Sequence, residues 1–400
     1  MDGEPLKLDK RNLFVRWMGI YFACLILGAM NIGAFGSMLK VLAAVPVGIW
    51  LTQRHRIASN QLLFWAACFV FCCGASYVWS IVPAESLSRI GTQILYLCML
   101  AVVSGYSYSS YDLAFLKNCL IWSSRFTAII VLLSSSYLEG RIYLNGLVRE
   151  DPNYLCAYFL FGIAEDLDIA LDCKVLKKRL IAAVELIVYV YIVIGSGSRG
   201  GLLAVLMCAS IVFFLYGKGK QQVKTIAKKI AVIIVVCGVV LAASAFISGD
   251  ILQRFSLETL RKSNGTGRFD LWQDALTVFF SSGLLRQLFG YGTATARTIT
   301  WLFPFRHHNV FHNIFVEVLL ELGIIGLIAY VLHIFSMASF TFKRKEYFAF
   351  SIIMGMIVLS LSTSIFAFKP YWNIAMYIFC IRNEAKPNNE PEHHYPGIQR

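Results

Sequence analysis

Long apolar runs alternate with short polar breaks along the chain, and the runs have the length of a membrane span. A hydrocarbon core of about 30 Å takes roughly 20 apolar residues per helix, and runs of that order recur from Leu13 to Ile381. They predict helices near 13–30, 37–51, 61–82, 91–107, 118–135, 153–171, 180–195, 201–217, 230–248, 323–342, 347–366 and 371–381, about twelve in all. The expected fold class is all-α: a polytopic transmembrane helical bundle. One long polar interval, 249–322, interrupts it, and its amphipathic stretches predict helices within a large loop. The chain divides into an N-terminal bundle (1–248), this loop (249–322), C-terminal transmembrane helices (323–382) and a polar tail (383–400) with too few apolar residues to fold.

Basic residues orient the bundle. Lys7, Lys10 and Arg11, then Arg54 and Arg56, Lys117, Lys174 to Arg179, Lys218 to Lys229 and Lys343 to Lys345 all fall on one side of the counted spans. Lysine-rich short loops belong in the cytoplasm, which places 249–322 outside. That loop carries Arg254, Arg261, Lys262, Arg268, Arg286, Arg297 and Arg306. Long loops are exempt from the charge rule, but the bias to arginine is informative. Topology asks only for positive charge, whereas a planar guanidinium adds bidentate binding of phosphate or carboxylate oxygens. An anionic ligand on the outer side is expected.

Composition narrows the class further. With 58% hydrophobic and 15% charged residues and a mean hydropathy of +0.65, this is an integral membrane protein. A net charge of +13 would point to nucleic acid in a soluble protein, but here it belongs first to cytoplasmic loops and lipid head groups, so no nucleic acid partner is expected. Of the eleven cysteines, Cys24, Cys68, Cys72, Cys73, Cys98, Cys208 and Cys237 sit in apolar runs and act as small hydrophobes. None reads as a metal ligand. The first run lacks a small-residue cleavage site and reads as an anchor.

Four motifs carry the candidate chemistry. S-G-S-R-G-G (Ser196 to Gly201) exposes Arg199 among small residues, either to meet a ligand or as a tight interhelical turn whose arginine snorkels to lipid phosphate. G-T-G-R-F-D-L-W (Gly265 to Trp272) puts Arg268 near a helix start, where free N–H groups favour an anion, or else marks an interfacial helix with a Trp anchor. L-F-G-Y-G (Leu288 to Gly292) reads as a flexible turn. In H-H-N-V-F-H-N-I-F-V-E-V-L-L-E-L-G-I-I-G (His307 to Gly326), Asn313, Glu317 and Glu321 recur at i, i+4 and i+8 and share one helix face. Acids on an apolar helix are costly unless paired, so His312 beside this stripe and opposite an arginine-rich loop is a candidate base.

These motifs, in this order, resemble the bacterial O-antigen ligase and O-antigen polymerase family over roughly residues 180–340, and D-P-N-Y (Asp151 to Tyr154) is also similar to it. The resemblance implies glycosyl transfer from an undecaprenyl-diphosphate-linked oligosaccharide on the outer face of the bacterial cytoplasmic (inner) membrane. It implies that Arg199 and Arg268 grip the diphosphate, that His312 is catalytic, and that neither nucleotide sugar nor metal is needed. The acceptor would be a glycan, for a polymerase, or lipid A core, for a ligase. A flippase and a chain-length regulator are the implied protein partners, with membrane lipid around the bundle.

The residues fit this chemistry without the family. Arginines preorganised in a low-dielectric site stabilise the charge left on a departing diphosphate. The attacking hydroxyl must lose a proton, and an imidazole of ordinary pKa about 6.5 suits a general base. His308, Asn313, Glu317 and Glu321 join Arg199 and Arg268 as expected substrate-binding residues, and which of His307, His308 and His312 is essential stays open. No cofactor or metal is expected, although Asp270 and Asp274, at i and i+4, are spaced to share an ion or a solvated helix face. A single displacement would invert the anomeric centre. Elsewhere, Arg125 is expected to pair with Glu185 or snorkel, Lys40 to snorkel, and Glu165, Asp166 and Asp168 to be neutralised by Lys177, Lys178 and Arg179. A flippase or transporter is the rival class, but it would concentrate polar residues at mid-membrane.

Overall fold

Polar residues placed just ahead of the apolar runs start the helices. In a computed structural model, which describes residues 13–30, 37–52, 57, 60–138, 141–145, 148–215, 267–302, 311–365 and 368–385, the chain begins with α1 (Leu13–Ala23), α2 (Met38–Thr52), α3 (Gln61–Ala75), α4 (Pro83–Ser104) and α5 (Ser110–Ser134). The Asn60 side chain accepts from Leu63 N at 2.9 Å to cap α3. Ser109 and Asp112 form a reciprocal capping box on α5, and Pro83 occupies the first turn of α4, where its missing N–H costs nothing. The expected span at 230–248, the loop cations Arg254, Arg261, Lys262 and Arg306, His307 and His308, and the tail from 386 lie outside the described residues.

After α5 the chain departs from the all-helical expectation. Antiparallel strands β1 (Ser135–Leu138), β2 (Arg141–Asn145) and β3 (Arg149–Glu150) form a small sheet in the order β1-β2-β3, with Ser135 opposite Leu144 and Leu144 opposite Glu150. Its signal is the alternation in R-I-Y-L-N, where Ile142 and Leu144 turn inward and are buried. That is too short to register beside apolar runs of span length. Next come α6 (Pro152–Leu155), a 3₁₀ turn at Cys156–Phe159, α7 (Leu160–Asp172), α8 (Leu176–Gly195) and α9 (Arg199–Leu215). Beyond 266 follow α10 (Arg268–Ser281), α11 (Leu284–Phe289), α12 (Ala296–Ile299), α13 (Ile314–Lys343), α14 (Tyr347–Ser360) and α15 (Lys369–Arg382).

Four stretches are long and apolar enough to cross a membrane: Gln61–Trp79, Pro83–Ser104, Ser110–Ser134 and Ile314–Lys343. Leu13–Ala23, Met38–Thr52, Arg199–Leu215 and Tyr347–Ser360 are shorter apolar helices. Among the described residues this is fewer than the hydropathy runs count: the run at 230–248 lies outside them, and turns divide others. The run at 13–30, for example, changes to a 3₁₀ helix at Leu25–Ala29. α9 packs along α14, α13 along α3, α7 along α8 and α1 along α5. α15 lies at the centre, buried at every residue from Pro370 to Ile381. Some ionisable side chains within the bundle are paired: Arg125 Nε and Nη2 donate to Glu185 at 3.1 and 3.0 Å, as expected. Lys117, rather than the later lysines, pairs with Glu165. Lys40 Nζ donates to Thr92 Oγ1 at 2.8 Å.

Candidate functional site

The ends of α5 and α8, with the starts of α6 and α9, meet beside the sheet, and His312, just ahead of α13, lies near Asp151 at the start of α6. In the S-G-S-R-G-G turn, Ser198 Oγ caps α9 by accepting from Gly201 N at 3.0 Å, and Arg141 Nε on β2 donates to Ser196 O at 2.7 Å. A Cβ at Gly201 would fall 2.6 Å from Cys156 Cβ, so the glycine is required by the close passage of the Cys156–Phe159 turn. Ser196 and Ser198 are buried, whereas Arg199, at the first position of α9, keeps a half-exposed side chain. The tight-turn reading is therefore correct for the backbone. Arg199 also lies close enough to Arg268 to lower that residue's pKa.

Arg268 starts α10 behind Gly267, whose φ of 75° lies in the left-handed region. The inward face of α10, Leu271, Ala275 and Phe279, forms a satellite core with Ile299, Phe311 and Leu320. Phe269 and Phe280 on the other face are exposed, as an interfacial helix requires. Trp272 is not simply a membrane anchor: its Nε1 donates to Phe311 O at 2.7 Å, tying the arginine helix to the residue before His312. Burial pushes the Arg268 guanidinium down, Arg141 and Arg199 add to this, and Asp151 opposes it. Three arginines and one acid thus share a half-buried site.

His312 has φ +51°, a left-handed conformation that turns the chain into α13. Asn313 follows as the cap of that helix, its Oδ1 accepting from Phe315 N at 3.0 Å and Val316 N at 3.3 Å. The His312 imidazole is lowered from its ordinary 6.5 by burial and then by Arg268, while Asp151 and Glu317 pull the other way. At neutral pH it is uncharged and able to accept a proton. Asp151 itself caps α6, its Oδ1 accepting from Asn153 N at 2.7 Å with Pro152 next in sequence, which explains the D-P-N-Y pattern locally.

The acidic stripe is paired, but not by the loop. Arg89 Nη1 on α4 lies 2.7 Å from Glu317 Oε1 and 3.5 Å from Glu321 Oε2, and both glutamates are buried. Glu321 Oε1 also accepts from Ala296 N at 3.0 Å, capping α12. Nor is L-F-G-Y-G a loose turn. α13 breaks at Gly323 (φ 69°, ψ −169°), and Tyr291 N and Gly292 N donate to the carbonyls of Leu320 and Glu321 just before the break, at 2.9 and 2.8 Å. A Cβ at Gly323 would sit 2.5 Å from Phe289 N, so only glycine allows this contact. The loop is fastened on its other side by Thr293, whose N donates to Ser76 Oγ at 3.0 Å and whose carbonyl accepts from Ser86 Oγ at 2.5 Å.

The structure therefore brings Arg199, Arg268 and His312 together, gives Asn313 and Glu321 partners within the chain, and leaves His308 outside the described residues. Sequence reasoning missed Arg141, Asp151 as a member of the site, and Arg89. A signal for the arginines was present: Arg141 and Arg89 lie at breaks on the side of the bundle assigned as outer, where the charge rule does not call for cations. Asp270 and Asp274 lie on α10, and among the described residues no group of three or more His, Cys, Asp or Glu could hold a metal ion.

Four membrane-length helices, together with Arg141, Arg199, Arg268 and His312 near one another beside the bundle, define a membrane protein with clustered cations at its candidate site. A family model described as O-Antigen ligase matches residues 185–331, while the comparison with curated proteins gives no match. The matched stretch contains Arg199, Arg268, the G-Y-G contact and His312, and it supports the O-antigen ligase and polymerase family that the motifs resemble. With the apolar helices, this match indicates a membrane protein of the bacterial envelope and an activity of the ligase or polymerase type. Arg89, Arg141 and Asp151 lie outside the match.

Proposed function

We propose that the protein is a polysaccharide polymerase that transfers glycan from undecaprenyl diphosphate to an acceptor sugar hydroxyl on the outer face of the cytoplasmic membrane, without a metal. The observation that carries this reading is the convergence of Arg199, Arg268 and His312 on one half-buried site. Arg199 and Arg268, joined by Arg141, hold the diphosphate, and the repulsion among them is relieved when the anion binds. The acceptor oxygen bonds to the anomeric carbon as the bond from that carbon to the phosphate oxygen breaks. The electron pair leaves with the diphosphate, stabilised by the guanidiniums, and the hydroxyl proton passes to His312. The anomeric configuration inverts. The description of the matching family favours a second reading, in which the same donor chemistry delivers a finished glycan to lipid A core or another surface acceptor.

The test is glycan transfer by purified protein in detergent, with lipid-linked repeat units as donor and a chelator present. Growing chains on the carrier lipid support a polymerase, and delivery only to added lipid A core supports a ligase. No covalent transfer, with translocation alone in vesicles, would mean a transporter. His312→Asn keeps a residue that tolerates the left-handed backbone, and it should cost at least about a hundredfold in rate if His312 is the base. Full activity in a folded His312→Asn variant would remove His312 from the chemistry.

A further inference from the structure

The two glutamates of the α13 stripe are not equivalent. Glu321 is fully engaged: Oε1 caps α12 and Oε2 faces Arg89. Glu317 is 1% exposed and uses only one of its oxygens, with Oε1 at 2.7 Å from Arg89 Nη1. Among the described residues its Oε2 is buried and meets no hydrogen-bond donor. A buried carboxylate oxygen left unpaired is costly, so a role that supplies a donor at some stage of the reaction would account for it. His312, little more than one helical turn earlier in the chain, gains a proton in the proposed reaction, and Glu317 raises its proton affinity.

We propose that Glu317 is the positioning residue of His312, its Oε2 receiving a ring N–H when the imidazole becomes imidazolium, with Arg89 fixing the carboxylate through Oε1. This rests on the proposed glycosyl transfer only for the origin of the proton, the acceptor O–H, which breaks as the oxygen attacks. The arrangement follows the general logic in which a base is oriented by a third group. In unliganded structures such bonds are often long and tighten along the reaction. The other charges near His312 have different commitments: Asp151 caps α6 and faces Arg268, and Arg268 disfavours the imidazolium. Around Glu317 stand Arg89, Glu321, Tyr154 and Tyr330. Of these only Arg89 carries a positive charge, and it is shared with Glu321.

The experiment compares Glu317→Gln with Glu321→Gln in the full-length protein in detergent. Histidine-labelled protein gives the His312 titration by NMR, assigned by difference against His312→Asn, and the pH dependence of glycan transfer is measured in parallel. Glu317→Gln should lower the His312 titration midpoint, shift the acidic limb of the rate to lower pH, and reduce kcat by about tenfold or more with donor KM unchanged. Glu321→Gln should move the midpoint less. Should Glu317→Gln not fold, Glu317→Asp, which keeps the charge but withdraws it by one methylene, should lower the midpoint by a smaller amount. An unmoved His312 midpoint in the folded variant, or a rise in donor KM with an unchanged pH profile, would overturn the assignment. The titration needs no turnover: if the wild type transfers no glycan yet Glu317→Gln still lowers the midpoint, the proposed function fails and the pairing stands.

Discussion

The two arginines that converge on the site are supported in opposite ways. Arg199 stands on a turn fitted into the main bundle, where Gly201 passes Cys156 and Arg141 fastens the Ser196 carbonyl. Arg268 stands on α10, which belongs to a satellite core of a few apolar side chains and is tied to the His312 segment by the Trp272 indole. The first support is a matter of close backbone approach, so disturbing it disturbs the packing of α7, α8 and α9 together. The second is local, so disturbing it should misplace a side chain and leave the bundle standing.

The contrast can be broken from either side. The larger effect is expected at the turn. Gly201→Ala places a methyl 2.6 Å from Cys156 Cβ, and overpacking of this kind costs about 1–3 kcal/mol. Thermal unfolding of the purified protein should show a clear fall in midpoint, only partly relieved by adding Cys156→Ala, which removes the sulfur but not the Cβ. A smaller effect is expected at α10. Trp272→Phe removes one hydrogen bond, worth about 0.5–1.5 kcal/mol, from an element whose core is separate. Its unfolding midpoint should stay near the wild type while the transfer rate falls. If Trp272→Phe lowered the midpoint as far as Gly201→Ala does, the satellite core would be part of the bundle's cooperative unit and the contrast would be lost.

The same contrast separates what was legible in the sequence. Hydropathy located many of the helices, and the start of the span placed at 323–342 coincides with the break of α13 at Gly323. Arg199 stood out among small residues, Arg268 at a predicted helix start and His312 beside the acidic stripe. What escaped notice depended on approach between distant segments. Nothing in L-F-G-Y-G announces that its N–H groups complete the carbonyls before Gly323, because the need arises only from the break in another helix. The pairing of Glu317 and Glu321 was foreseeable as a requirement, since buried acids need partners. Its partner was not, since Arg89 lies 228 residues away from Glu317. Arg141 was hidden by a strand of five residues, too short to rise above the surrounding apolar pattern.

The finest test of the comparison uses His312 as a probe of the charges that the two supports bring together. Arg268 lowers the imidazole and Asp151 raises it. Arg268→Gln should therefore move the His312 midpoint up towards its ordinary 6.5, and Asp151→Asn should move it further down. The sign for catalysis follows from the neutral form being the base: the rate is retained above the midpoint and lost as pH falls through it. The sign for stability is the same, because an unfolded chain takes up the proton first, below about 6.5, and so gains on the folded chain as the pH drops. Histidine-labelled protein titrated by NMR reads both shifts without turnover. Trp272→Phe then supplies the sharpest arm, because loosening α10 should weaken the influence of Arg268 and raise the midpoint in the direction of Arg268→Gln. Gly201→Ala, measured at a temperature where it remains folded, acts on Arg199 and should leave the midpoint nearer the wild-type value. Equal shifts in the two variants would mean that His312 senses the arginines as one rigid array rather than as a fixed and a separately held charge.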